Sequence, residues 1–157
     1  MPARRAGGNA PRCFRKRRRR RAASRCDLRA NRVKAIQTFL ADYENGNQEG
    51  RYLTAELPEL PFSTNQFDLA LCSHFLFLYS DHFDAEFHLR SIQSMLRVAT
   101  EVRIFPLLTL MRERSPHLDF VIQSLIEQNY AVSVQRVSYE LQRGGNEMLV
   151  VHPKSHR

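Results

Sequence analysis

A break in composition near residue 31 decides where in this chain a fold can form. From Met1 to Lys34 the sequence has 14 Lys plus Arg and one acid, Asp27, whereas Ala35 to Arg157 has 10 basic and 15 acidic residues. The first stretch is mostly Arg, Ala, Gly and Pro, and directly after Phe14 it carries the unbroken basic run Arg15, Lys16, Arg17, Arg18, Arg19, Arg20 and Arg21. Like charges at this density repel one another, and the segment has no apolar pattern to bury. Residues 1–31 are therefore expected to be a disordered basic arm, and residues 32–157 the folding domain. The formal charge of +8 belongs to the arm, and the remainder is mildly acidic.

Clustered positive charge allows three roles for the arm. It could direct nuclear localisation, bind nucleic acid through Arg15 to Arg21 in a salt-sensitive and sequence-independent way, or act as an Arg-rich transit peptide. A fourth reading gives it no selected role. Arg-rich stretches with Ala, Gly and Pro also arise from a misplaced start or a shifted reading frame in GC-rich DNA. No apolar stretch of the kind a secretory signal needs follows the run, and no uninterrupted apolar segment has the length of a membrane span, so no membrane partner is expected. The three cysteines, Cys13, Cys26 and Cys72, form no CxxC pair and cannot frame a disulfide scaffold. A reducing, cytoplasmic setting is the expectation.

Beyond the break the periodicities are regular. Val33, Ile36, Leu40 and Tyr43 recur at helical spacing, and Asn45-Gly46 reads as the stop. Arg51 to Leu57 reads as a short strand ended by Pro58. Phe67 to Ser73 (FDLALCS) is a nearly continuous apolar run, the pattern of a strand buried on both faces. Asp84 to Ala99 reads as an amphipathic helix and Val102 to Leu108 as the next strand. Ser115-Pro116 opens a helix with the stripe Leu118, Val121, Ile122, Leu125, Ile126 and Tyr130. Ala131 to Leu141, a turn at Gly144-Gly145-Asn146, and Glu147 to His152 read as a hairpin. This alternation predicts an α/β fold of three layers, with a mostly parallel sheet ending in an antiparallel hairpin.

The stretch RYLTAELPELPFSTNQFDLALCSHFLFL, Arg51 to Leu78, resembles the middle of a class I S-adenosylmethionine-dependent methyltransferase. Leu60-Pro61-Phe62 and Phe67-Asp68-Leu69 stand where that family opens its fourth strand. Met95-Leu96-Arg97-Val98 resembles the end of the helix before strand five, and Gln142 to Leu149 the closing hairpin. The resemblance covers about residues 32–152 and implies a partial Rossmann-like fold, S-adenosylmethionine as cofactor and an unidentified methyl acceptor. It places Glu56 and Leu57 beside the adenine. Ser73 would lie at the cofactor near the reacting methyl group, with His74 as a candidate general base. The family's Gly-rich first loop and the acidic residue of its second strand have no counterpart. The chain is therefore expected to be truncated in the cofactor-binding half, with weak or no cofactor binding and doubtful activity. In the family's strand order, 3-2-1-4-5-7-6, the strands that separate the third from the fourth would be missing, which invites self-association through unpaired strands.

The alternative is a nucleic-acid-binding protein that acts through the arm and uses the α/β part as a non-catalytic scaffold. His74, His82 and His88 with Asp81 and Asp84 match no structural zinc spacing. Cys72 reads as a buried small hydrophobe. Phe75, Phe77, Tyr79, Phe83 and Phe87 read as core packing plus one wall of a pocket.

Overall fold

A computed structural model describes residues 25–154. The basic run, and with it the expected arm site at Arg15 to Arg21, lies outside the described residues. The chain divides into two compact units between Leu53 and Thr54.

In the first unit, helix α1 spans Arg25–Gln48. It starts earlier than the apolar spacing indicated and runs straight through Asn45-Gly46. Gly46 answers a different need: a Cβ there would sit 2.2 Å from a ring carbon of Tyr52, so only glycine lets the ring lie against the helix. The stop is Gly50, at φ +72°. Its N–H donates to Asn47 O at 3.1 Å and that of Arg51 to Gly46 O at 2.8 Å, the paired bonds that satisfy the last carbonyls of a helix. Arg51 then folds back, donating to both carboxylate oxygens of Asp42 at 2.7 and 2.8 Å, where the Tyr52 hydroxyl also donates at 2.8 Å. The stripe Val33, Ile36, Leu40 and Tyr43 forms, but its side chains are exposed.

The second unit holds β1 (Phe67–Ser73), α2 (Ala85–Val98), β2 (Ala99–Phe105), α3 (Leu118–Glu127), β3 (Tyr130–Arg136) and β4 (Glu147–Pro153). The strands form one open sheet in the order β1-β2-β4-β3. Neighbouring β1 and β2 run parallel, and β4 lies antiparallel to both β2 and β3, so β1, β2 and β3 all point the same way. With three of the four strands running one way and only β4 against them, the expected mostly parallel sheet ending in an antiparallel hairpin is borne out, whereas Arg51 to Leu57, expected as a strand, forms none. A strand needs a ladder partner, and the sequence from 51 to 57 meets none among the described residues. The α/β class and the closing hairpin stand as expected.

Asp84 caps α2, its carboxylate accepting the Phe87 N–H at 2.7 Å, and Glu86 in the first turn suits the positive end of the helix dipole. The buried residues Leu89, Ile92, Met95 and Leu96 of α2 and Leu118, Val121 and Leu125 of α3 join one cluster with Val102, Ile104, Leu149 and Val151 of the sheet. Both helices therefore cover the same sheet face, and this unit has two layers rather than three. Leu69, Leu71, Glu101, Arg103 and Val150 alternate onto the other face. The expected burial of Phe67–Ser73 on both faces is corrected accordingly: Cys72 is buried, but Leu71 is 68% exposed.

Candidate functional site

The loop 54–62 is held by a side chain rather than by a ladder. Arg97, in the last turn of α2, donates to the carbonyl oxygens of Phe62 at 2.6 Å and Leu60 at 2.7 Å. Arg97 O in turn accepts the Asn65 N–H at 2.9 Å. This clamp presents Ala55, Glu56, Leu57 and Leu60 to Phe75, Phe83 and Phe87 across an open groove of about 640 Å³. Phe83 and Phe87 stack at 4.3 Å between ring centroids, and Phe75 tilts against Phe83 at 5.7 Å. Glu56 is exposed and also lines a second open recess with Glu59, Ser94 and Arg97. A flat heteroaromatic ring would find stacking surface in the groove and a carboxylate acceptor at its rim.

The turn after β1 is fixed by buried polar groups. Ser80 Oγ donates to Phe77 O at 2.7 Å and lies 2.7 Å from Ser115 Oγ. His88 is fully buried, with Nδ1 2.6 Å from Asp84 O and Nε2 3.0 Å from Leu76 O. Its ring stacks on Phe77 at 5.2 Å and lies 4.9 Å from the His117 ring. Burial holds the His88 imidazole below its ordinary pKa of 6.5, and the neighbouring His117 pushes the same way, against the two carbonyl contacts and Asp84. His88 is thus a structural strut. Among the described residues no group of His, Cys, Asp and Glu could hold a metal ion. Cys72 is buried, and desolvation pushes its thiol pKa up, so it packs as a small hydrophobe.

The structure brings Glu56 and Leu57 together with the aromatic wall, but the groove does not include Ser73 or His74. His74 takes the left-handed conformation, φ +56°, and its N–H donates to Phe105 O at 2.6 Å. Its Nδ1 is 2.8 Å from Ser73 Oγ, and its ring meets the edges of Phe105 and Tyr139 at 5.4 and 6.3 Å. Its Nε2 is buried without a hydrogen-bond partner, so in this conformation that nitrogen faces no solvent from which a substrate could approach. Nothing in the sequence signalled the roles of Arg97, Ser80 and Ser115 in holding these loops. Their partners are carbonyls and hydroxyls brought close by the fold, which leave no motif.

No protein-family profile matches the chain. An uncharacterized protein of Methanocaldococcus jannaschii is 32% identical over 125 residues, which cover 80% of this chain and 53% of that protein. The chain therefore spans about half the length of the curated relative it matches. Among solved structures, a SAM-dependent methyltransferase of Methanosarcina mazei is similar with a TM-score of 0.41 and 14% identity, over 63% of this chain and 65% of that one. No helix among the described residues is long and apolar enough to cross a membrane.

Proposed function

We propose that residues 54–154 form the second half of an S-adenosylmethionine-dependent methyltransferase-type domain. In this reading Glu56, Leu57 and Phe75 make the adenine side of the cofactor site. The sheet order carries the proposal: β1 and β2 parallel, then the last strand inserted antiparallel between β2 and β3. That order matches the 4-5-7-6 half of the sheet of the family the sequence resembles. The groove fits an adenine ring, but the rest of the cofactor lacks a cradle among the described residues. The glycines of this unit are Gly144 and Gly145, in the β3–β4 connection and not in a loop opening a helix beside β1. Main-chain donors at such a loop hold the charged end of a nucleotide-like ligand, and side chains elsewhere do not replace them. No chemical step is therefore assigned to this chain by itself, and a methyl acceptor would be met only in a complete site.

Calorimetry tests the cofactor part: the 157-residue chain is expected to bind S-adenosylmethionine weakly or not at all, and a micromolar dissociation constant would overturn that. Titration with adenosine, followed by amide NMR, tests the groove. Shifts confined to residues 55–57 and to Phe75, Phe83 and Phe87 support the reading, and their absence at saturating adenosine refutes it. The composition of the arm favours a second activity, non-specific nucleic-acid binding through Arg15 to Arg21. Its affinity should fall steeply with salt and vanish on deletion of residues 1–26. Binding that survives the deletion would place the site elsewhere.

A further inference from the structure

Strand β1 is an edge strand, and among the described residues nothing pairs with its outer side. The direction of its backbone groups follows from two contacts. The His74 N–H donates to Phe105 O, and Asp68 O accepts from Thr100 Oγ at 2.7 Å. Even-numbered groups thus point toward β2, and the N–H and C=O of Phe67, Leu69, Leu71 and Ser73 point outward. Their side chains lie on the uncovered sheet face, with Phe67 39%, Leu69 40% and Leu71 68% exposed. Natural edge strands are usually protected by lysine, proline, a bulge or an inward charge. FDLALCS has no lysine or proline, and its ladder with β2 keeps one register from Leu69 to Ser73.

We propose that this edge is a two-fold interface with a second copy of the chain, β1 pairing antiparallel to β1 about an axis through Ala70. The choice of occupant rests on self-complementarity. With Ala70 facing itself, Leu69 faces Leu71 of the second copy and Phe67 faces its Ser73. Each of these is a pairing of outward-pointing residues that exchange both backbone bonds. Two Leu69–Leu71 cross-strand apolar pairs then form on the uncovered face, with Phe67 facing Ser73 at either end. Asp68, the one charged residue of the strand, faces Cys72 of the second copy, so no like charges meet. The edge also opens onto a recess of about 360 Å³ lined in part by Leu57, Leu60, Phe62, Met95 and Val98, which adds apolar surface beside the new strand. The interface belongs to the 157-residue chain; in a complete domain of the proposed type this same edge would pair with the family's first strand.

Two measurements on the full chain test it. In sedimentation equilibrium the mass should rise from 18.3 kDa toward twice that value with concentration. Leu71→Pro should hold the protein at the monomer mass, because the N–H it removes points outward and takes no part in the β1–β2 ladder. Should Leu71→Pro fail to give a native circular dichroism spectrum, Leu69→Lys, on the water-facing side, takes its place. Second, Ala70→Cys in a Cys13→Ser, Cys26→Ser, Cys72→Ala background should cross-link into a covalent dimer under mild oxidation. Opposed residues at a non-hydrogen-bonded position lie ~4.5 Å apart at Cα, within disulfide range. Leu71→Cys in the same background should not cross-link. A monomer at every concentration, open-ended association, or a dimer that survives the edge variants without cross-linking at position 70 overturns the proposal.

Discussion

Replacing His88 by leucine isolates the strut beneath the aromatic wall. Leucine approximates the buried volume but offers no hydrogen-bond donor. Asp84 O also accepts the backbone N–H of His88 at 3.2 Å, so it keeps a partner, whereas Leu76 O loses its contact with Nε2 at 3.0 Å. Losing one buried hydrogen bond costs about 0.5–1.5 kcal/mol. The lost stacking of the imidazole on Phe77 adds up to about 1 kcal/mol. For a domain of this size, each kcal/mol lowers the melting temperature by about 4–8 °C. Urea unfolding followed by circular dichroism at pH 7.5 should therefore show a lower midpoint with an unchanged slope.

The pH dependence gives this prediction a second, independent edge. In the folded protein the His88 pKa lies below its unfolded value of 6.5, so as the pH falls through 6.5 the unfolded chain takes up the proton first. Stability is then lost progressively until the pH reaches the folded pKa. The wild type should show this loss, and His88→Leu should lack the His88 share of it, so the two curves converge toward acid pH. A variant as stable as the wild type at pH 7.5, or a stability difference that stays constant down to pH 5, would refute the strut.

Leu125→Ala, at a fully buried position of α3, should cost about 2–5 kcal/mol and is best read by chemical denaturation at low temperature. Arg97→Ala should speed amide exchange in residues 60–66 while leaving the α2 core protected; its loss of global stability should be about 1 kcal/mol or less, since the clamp is exposed. In the first unit, hydrogen bonds from Arg51 and Tyr52 lower the Asp42 carboxyl to about 2. NMR titration should find that midpoint, and Arg51→Gln should move it up toward the ordinary 3.8. Amides of residues 52–56, which have no ladder, should exchange much faster than those of residues 68–72; equal protection in a monomer would mean that the segment pairs as a strand.

What the sequence showed clearly was whatever a few neighbouring residues decide among themselves. Phe67–Ser73 was placed to the residue because its apolar run is bounded by polar residues on both sides. Helix α2 followed from the amphipathic spacing between Asp84 and Ala99, and the hairpin from its Gly-Gly-Asn turn. Arg51 to Leu57 failed because strand propensity is only a fit to a pleated neighbour, and no such neighbour lies among the described residues. Gly46 was read as a stop when its role is the approach of Tyr52, a contact six residues away that composition does not record. Of the candidate site, Glu56, Leu57 and the phenylalanine wall do share one groove. The position of His74 depended on a left-handed turn that no pattern near it announced.

The two exposed apolar patterns have a common physical cause. A periodic apolar pattern records how much burial a segment suits, and it does not record where the burying surface comes from. The α1 stripe of Val33, Ile36, Leu40 and Tyr43 and the β1 face of Phe67, Leu69 and Leu71 both carry the pattern of elements covered on that side, yet all seven residues are exposed. Apolar surface in water costs about 25 cal/mol per Å², which is a standing drive for each to find a cover. For β1 that drive is joined by outward N–H and C=O groups arranged in a self-complementary register. The surplus apolar pattern, which misled the reading of burial, is therefore the same feature that gives this edge its capacity to bind a second copy.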